Sequence, residues 1–566
     1  MSQIFHVILV RPSHYDDDGY PITWRQGIIP SNSIATVYGM LTDCARRRVL
    51  GDHVDIRVRV MDEANRRIVP ERIAAAVKKA GNRGFVALAG VQTNQFPRAM
   101  DLADRFLRAG LPVCVGGFHV SGWLATMKDV PEEVREAQKK GISFFAGEGE
   151  NGRVEQVLKD AWNGKLAPLY NFLGQLVDLK NEPVPVLPEE EIRQTAGCYT
   201  AFDLGRGCPF HCSFCTIINV HGHESRFRTA DDLEKIIREN HERGFHRYFL
   251  TDDNIARNRN WEAFFDRMAA LRKEGIRIRM LIQVDTGSYR IPGFIQKAVA
   301  AGVDQIFVGM ESINPENLAA VNKKQNKVAT YQEALRAWKQ YPVVITAAYI
   351  VGLPGDTKDT VLRDIDTIKR ELPIDTIYFT NLTPLPGSVD HQKMREAGEW
   401  MSSDLNLYDT HHCVTNHPLM SADEWQDANR AAWRRFYTDD HMTTVLRRMV
   451  AARSDKKLTT INRLALYSWF GCHTTIHPID GGLMRRRYRR DRRPGLPLEN
   501  PFVFYPRHFA TALYTYVRIH LRAWRLWRKY RQIVSDPHSL KYADAATGTF
   551  GSAPIRTDDG SSPDQT

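Results

Sequence analysis

The feature that most limits the fold of this chain is a regular exchange of short apolar runs with helical stretches, and it occurs twice. In the first 165 residues the runs Ile4 to Val10, Val54 to Val60, Phe85 to Gly90, Pro112 to Val115 and Ile142 to Ala146 read as strands. Between them Ile34 to Arg48, Pro70 to Ala80 and Arg98 to Ala109 carry helical spacing. Strands alternating with helices predict a parallel, doubly wound sheet with its ligand crevice at the carboxyl ends of the strands. The segments expected there are Arg11-Pro12-Ser13-His14, Val91-Gln92-Thr93-Asn94, Gly116-Gly117-Phe118-His119 and Gly147-Glu148-Gly149-Glu150, all rich in small or polar residues.

A proline-rich, acidic connector spans 166–195. The alternation then resumes over 196–390, with strands at Tyr199 to Leu204, Arg247 to Leu250, Arg277 to Val284, Gln305 to Val308, Val344 to Val351 and Thr376 to Leu382. Six such βα units predict a partial barrel, whose site also lies at the strand carboxyl ends. Residues 391–540 read as mostly helical, and 541–566, rich in Gly, Ser, Asp and Pro, as a disordered tail. The fold class expected is therefore α/β: a doubly wound domain over 1–165, a partial (β/α)6 barrel over 196–390 and a helical C-terminal region.

The length of 566 residues suits about three domains. No apolar run reaches the 18 or so residues needed to cross a bilayer, and the N-terminus lacks a secretory pattern, so a soluble, cytoplasmic protein is expected. Eight cysteines are too few for a disulfide scaffold.

Three of them cluster in Gly205-Arg206-Gly207-Cys208-Pro209-Phe210-His211-Cys212-Ser213-Phe214-Cys215, directly after the first barrel strand. Soft thiolates at C-x3-C-x2-C spacing on one loop suit an iron-sulfur cluster, and three ligands for four irons leave one iron open to substrate. A structural zinc knot completed by His211, His221 or His223, and three unliganded cysteines, are the competing readings.

With Phe214 ahead of the third cysteine at the mouth of a βα barrel, this motif resembles the radical S-adenosylmethionine (radical SAM) superfamily. The resemblance implies a [4Fe-4S] cluster on Cys208, Cys212 and Cys215. It also implies SAM chelating the open iron and reductive cleavage to a 5′-deoxyadenosyl radical, with the electron delivered by a donor such as flavodoxin or ferredoxin. Further matching segments end the later strands: Thr251-Asp252-Asp253-Asn254, Gly309-Met310-Glu311-Ser312 and Tyr349-Ile350-Val351-Gly352-Leu353-Pro354-Gly355. By residue chemistry Asp252 or Asp253 suits the SAM ammonium and Glu311 with Ser312 the ribose. Phe214, Ile350 and Gly352 suit the adenine. A solvated loop for the acidic pair and a barrel-interior salt bridge for Glu311 are the plain alternatives.

The first domain resembles the cobalamin-binding domain that precedes many radical SAM barrels, which implies corrin contacts from Thr93, Asn94, Gly116, Gly117 and the loop Gly147, Glu148, Gly149, Glu150. The D-x-H-x-x-G pattern that supplies a cobalt-ligating histidine in cobalamin mutases is missing, because Pro12-Ser13-His14-Tyr15-Asp16-Asp17-Asp18-Gly19 does not fit it. Cobalamin is therefore expected without a protein histidine on cobalt, with His14 and His119 as structural residues.

The combined resemblance implies a cobalamin-dependent radical SAM enzyme, in the first instance a methyltransferase of an unactivated carbon in a small molecule. Cyclisation, ring contraction or another rearrangement on the same cofactors is an alternative, and a non-catalytic iron-sulfur or cobalamin sensor is the alternative of another class. The positive charge is concentrated in 441–540, which holds 20 Lys and Arg against 5 Asp and Glu. Its arginine run 485–493 and the Arg- and Trp-rich stretch 507–534 are compatible with a packed, solvated helix, with peripheral contact to anionic lipid and a lipid-like substrate, with an anionic substrate, or, last, with nucleic acid.

Overall fold

The computed structural model describes residues 3–79, 81–127 and 129–548. Ala80, at the end of the helix expected from Pro70, and residues 549–566 of the expected tail lie outside the described residues. No helix among the described residues is long and apolar enough to cross a membrane.

Six parallel strands form the first sheet: Gln3–Arg11, Val54–Asp62, Arg83–Ala89, Val113–Gly116, Ser143–Ala146 and Leu169–Asn171. Numbered along the chain, they lie side by side in the order 2-1-3-4-5-6. Period-two alternation explains why the sheet is buried on both faces. Ile8 and Val10 enter one core with Ile73, Leu102 and Phe106, while Phe5, Val7 and Leu9 enter the other with Ile34, Leu41 and Leu158. Each such side chain contributes about 2 kcal/mol relative to exposure, so a one-residue slip that exchanges the two sets is excluded. The sixth strand falls in the segment read as a connector. Leu169–Asn171 is too short to show a period of its own and gains its hydrogen bonds only by lying beside Ser143–Ala146.

The second sheet has six parallel strands in chain order, Tyr199–Phe202, Arg247–Leu250, Arg279–Val284, Val303–Glu311, Val344–Val351 and Thr376–Asn381. Helices lie between all successive strands, as in a partial barrel, and capping boxes start two of them, at Thr229 with Asp232 and at Thr357 with Thr360. Helices Ala422–Phe436, Asp439–Ala451 and Lys457–His473 close the far edge, where Trp433 meets Phe379 and the Tyr378 and Tyr467 hydroxyls lie 2.7 Å apart.

The C-terminal region also reaches back to the first domain. Gly482–Arg486 pairs antiparallel with Thr23–Gly27, so it includes one strand. Arg485 and Arg487 both reach Asp16 at 2.7 Å, Arg487 also reaches Asp18, and Arg493 pairs with Asp404. Three arginines of the run 485–493 are thus paired with carboxylates. Residues 541–548, placed in the tail by composition, belong to the body: Ala546 is buried and Asp544 pairs with Arg448 at 2.8 Å.

His412 joins the two halves of the chain between Asp409 at 2.9 Å and Asp17 at 3.4 Å. Burial opposes its charge, but the two carboxylates outweigh burial and push its pKa up to about 10. A folded-state pKa above the unfolded value of about 6.5 gives stability that is complete below that value and is lost as pH rises through about 10. His412→Asn should therefore cost about 2 kcal/mol at pH 6, and this difference from the parent should vanish by about pH 10 in denaturant titrations.

Candidate active site at the facing strand ends

Cys208, Cys212 and Cys215 lie on one loop after the first barrel strand, and several backbone ties fix it. Gly205–Arg206 pairs antiparallel with Arg226–Phe227. Gly207 has φ of 95°, and a Cβ there would collide with the Glu224 carbonyl oxygen, so glycine is required. The Cys208 amide donates to Gly222 O, the Cys215 amide to Cys212 O, and the Ser213 amide to Val321 O.

The thiols are close enough to act on one another electrostatically. Burial pushes Cys208 up to about 11 and Cys215 up to about 12, and the charge of Cys212 adds to both shifts. Such thiols ionise only against a strong cation, which iron supplies. Gln325 donates to Cys212 Sγ at 3.3 Å. Among the described residues no three His, Cys, Asp or Glu side chains converge on a single metal ion. The zinc-knot histidines are engaged elsewhere, His221 on Asp253 at 3.2 Å and His211 stacked on His223 at 4.2 Å. A four-iron cluster instead places each thiolate on a different iron, and the donor set fits it.

The residues expected to hold SAM divide into two groups. Phe214, Ile350 and Leu353 join Val321 and Leu382 in a small apolar cluster apart from the main core. Beside it Glu311, at φ of 64°, pairs with Lys323 at 2.6 Å, and the Lys323 ammonium stands 5.5 Å from the Phe214 ring. The charges of Cys212 and Cys215 also act on Lys323, so cysteines, ion pair and aromatic ring surround one spot. Ser312 is fully buried there and its hydroxyl caps Asn314.

Asp252, Asp253 and Gly352 serve other ends. Asp252 accepts from the Leu204 amide at 2.7 Å and from Asn258 at 2.9 Å, with burial pushing its carboxyl up to about 7. Asp253 accepts from the Gly207 amide at 2.7 Å. Both are buried supports of the cysteine loop, not members of a solvated loop. Gly352, at φ of 92°, is held open by the Trp425 ring, which a Cβ would enter. Gly352→Ala should destabilise by about 2–4 kcal/mol through collision and backbone strain, and thermal unfolding checks this.

On the first domain, Gly116, Gly117, Gly147 and Gly149 form part-exposed strand-end loops. A Cβ on Gly117 would strike the Val91 backbone, and one on Gly147 would crowd Phe172, so these glycines allow loops to pack. Thr93 turns inward to His119 at 3.4 Å, while Asn94 is part-exposed. Glu148 and Glu150 face the barrel. Glu150 binds Arg206 at 2.6 Å, Glu148 binds Arg206 at 3.1 Å and Arg226 at 2.7 Å, and Asp203 takes Arg206 at 3.0 Å. Burial alone would raise the carboxyls of Glu148 and Asp203, but the arginines hold each down to about 2.

The carboxyl ends of the two sheets consequently face each other. Phe118 meets His221 with ring centroids 5.3 Å apart, and Gly122 approaches Gly387 so closely that neither tolerates a Cβ. Lys323, Gln325, Asn258 and Arg206 were not anticipated from sequence. Asn322-Lys323-Lys324-Gln325-Asn326-Lys327 has the composition of a solvated loop, and only the fold brings it to the cysteines.

Comparison with known proteins agrees with this geometry. The radical SAM superfamily profile matches residues 203–368. The bacteriochlorophyllide d C-12(1)-methyltransferase of Chlorobaculum tepidum is 28% identical over 37% of this chain and 44% of its own length. The C-8(2)-methyltransferase of the same organism is 25% identical over 61% of this chain and 76% of its own length. This chain thus spans less than half of the first relative and about three quarters of the second. The structure of TsrM from Kitasatospora setae, a radical SAM methyltransferase with cobalamin and a [4Fe-4S] cluster bound, superposes with a TM-score of 0.55 at 15% identity, covering 95% of this chain and 100% of that one. Residues 203–368 form a radical SAM domain.

Proposed function

We propose that the protein is a cobalamin-dependent radical SAM methyltransferase acting on an unactivated carbon of a small molecule. The observation that carries this reading is the facing of the two strand-end surfaces, with the three-cysteine loop at the junction. Support comes also from the fold shared with TsrM and from the two methyltransferase relatives. When bound, the [4Fe-4S] cluster supplies the electron that cleaves SAM, and cobalamin supplies the methyl group.

The chain's own residues bind, orient and exclude water. Cys208, Cys212 and Cys215 hold the cluster, and Gln325 orients Cys212 by donating to its sulfur. Phe214 and Ile350 offer apolar faces to adenine, and Glu311, paired with Lys323, offers acceptors to the ribose together with Ser312. On the first domain Asn94, Gly116, Gly117, Gly147 and Gly149 are the small or part-exposed positions against which a flat macrocycle rests. Thr93, Glu148 and Glu150 position that surface from behind. The Arg206 network keeps the two surfaces in register and water out.

Protein produced with cobalamin in excess should carry about one corrin per chain, an amount set by one such surface. His14→Ala should leave its absorption spectrum unchanged, since no histidine of this chain is assigned to cobalt. Corrin-free protein that is nonetheless active would overturn the cobalamin assignment.

A further inference from the structure

The longest helix, Pro501–Ser535, does no work in the site described above. Its 35 residues extend about 50 Å, yet it touches the body along a narrow seam. Phe504, Ile519, Leu526 and Ile533 are its buried residues, the last three at seven-residue spacing, against helices Asp439–Ala451 and Lys457–His473. The opposite face is open and apolar. Phe502 is 87% exposed, Phe509 66%, Leu513 64% and Trp524 51%, with Val517 and Leu521 completing steps of three, four and seven. Apolar stripes of this length on a protein surface mark a partner.

Charge identifies the partner. The helix has seven Lys and Arg and no Asp or Glu. Arg507 alone lies near carboxylates, at 3.8 Å from Glu499. Among the described residues Arg518, Arg525, Arg528 and Arg531 have no carboxylate within 4.0 Å, in contrast with Arg485, Arg487 and Arg493. Three of them lie over aromatic rings instead, Arg518 at 5.8 Å from the Tyr514 centroid, Arg528 at 4.9 Å from Trp524 and Arg531 at 5.1 Å from Trp527. Aromatic rings and unneutralised arginines beside an apolar stripe match the headgroup layer of an anionic bilayer.

The same helix borders an opening. A cavity of about 1860 Å³ enters the barrel from the amino ends of the strands, where Tyr199, Arg247 and Val303 line it. Phe249, Leu281 and Phe307 line its interior. Ile519, His520 and Ala523 of the helix line it too, as do Leu458 and Ile479, both exposed apolar residues. Lys457 and Arg453 line it as well, while Lys456 there is paired with Asp455 at 2.9 Å.

We propose that helix 501–535 lies on an anionic lipid surface, and that an amphipathic substrate passes from that surface into the barrel through the mouth beside Leu458. The docking stands alone, whereas the use of the lumen for substrate rests on the proposed function.

Vesicle flotation of the reconstituted full chain tests it. The protein should float with phosphatidylcholine vesicles containing phosphatidylglycerol, remain below with phosphatidylcholine alone, and release as salt rises. Each Arg→Glu change at 525 or 528 should weaken partitioning at least about fivefold. Leu513→Glu with Trp524→Glu, both at exposed positions, should remove it at least about tenfold while circular dichroism stays unchanged. A fluorophore-tagged fatty acid held in the anionic vesicles should transfer to the protein, and Leu458→Trp should block transfer without affecting flotation. Equal flotation on neutral vesicles, none on anionic ones, or a dimer dissolved by the Glu substitutions would overturn the docking, the last by assigning the face to a second copy. Transfer indifferent to Leu458→Trp would overturn the mouth. Reductive SAM cleavage without substrate should survive every one of these changes; its absence from the parent protein would sink the proposed function and leave the flotation result standing.

Discussion

Cys212→Ala should reduce 5′-deoxyadenosine formation from SAM to background, and the same loss is expected for Cys208→Ala and Cys215→Ala. The reason is stoichiometric: with three protein ligands and one iron reserved for SAM, none of the three can be spared. Gln325→Leu provides the graded counterpart. It keeps all three sulfurs but removes the donor 3.3 Å from Cys212 Sγ, so iron content should persist while the cluster's reduction potential falls. Anaerobic reconstitution, iron and sulfide analysis and product chromatography measure both. Reductive SAM cleavage surviving in Cys212→Ala would contradict the assignment.

Arg206→Gln should produce the largest loss of stability of any single substitution away from the cysteines, about 3–5 kcal/mol. Arg206 is buried with Asp203, Glu148 and Glu150; its removal leaves Glu150 and Asp203 with only Arg228, at 3.8 and 3.9 Å, while Glu148 keeps Arg226 at 2.7 Å. The consequence should be coupled. Adding Glu150→Gln to Arg206→Gln should recover part of the loss, because it removes one stranded charge, and a double-mutant cycle in urea reads this directly. A loss under about 1 kcal/mol, or strict additivity, would show that the two domains do not depend on this network.

The fold was legible in sequence wherever local pattern and burial coincide. Phe5 to Val10 can be assigned to a strand because both faces are buried and every residue is apolar but His6; Tyr331–Lys339 reads as a helix because Tyr331, Ala334, Leu335 and Trp338 repeat at helical spacing. Pairings between distant segments were not legible. Nothing local in Thr23-Trp24-Arg25-Gln26-Gly27 announces Gly482–Arg486 as its partner, and the short strand Leu169–Asn171 gains meaning only beside its neighbour.

The site was legible to the same degree. The cysteines were found because their spacing is itself a chemical constraint. Glu311 was identified by position, but its partner Lys323 sits in a polar run that composition assigns to solvent. Glu148 and Glu150 illustrate the opposite limit. Their place after a strand end suggests a ligand, yet the arginines that claim them come from the two-stranded ribbon Gly205–Arg206 and Arg226–Phe227, which no local reading reveals.

Use of both cofactors to transfer a methyl group, as proposed, leaves a signature in the SAM products. Reconstituted, cobalamin-loaded protein should be incubated anaerobically with SAM, reductant and an acceptor drawn from amphipathic small molecules, and the SAM products quantified by mass spectrometry. S-adenosylhomocysteine and 5′-deoxyadenosine should form together in comparable amounts, with the acceptor heavier by one methylene unit. 5′-Deoxyadenosine with no S-adenosylhomocysteine, accompanied by a product of unchanged or reduced mass, would contradict methylation and assign the same fold to a cyclisation or rearrangement.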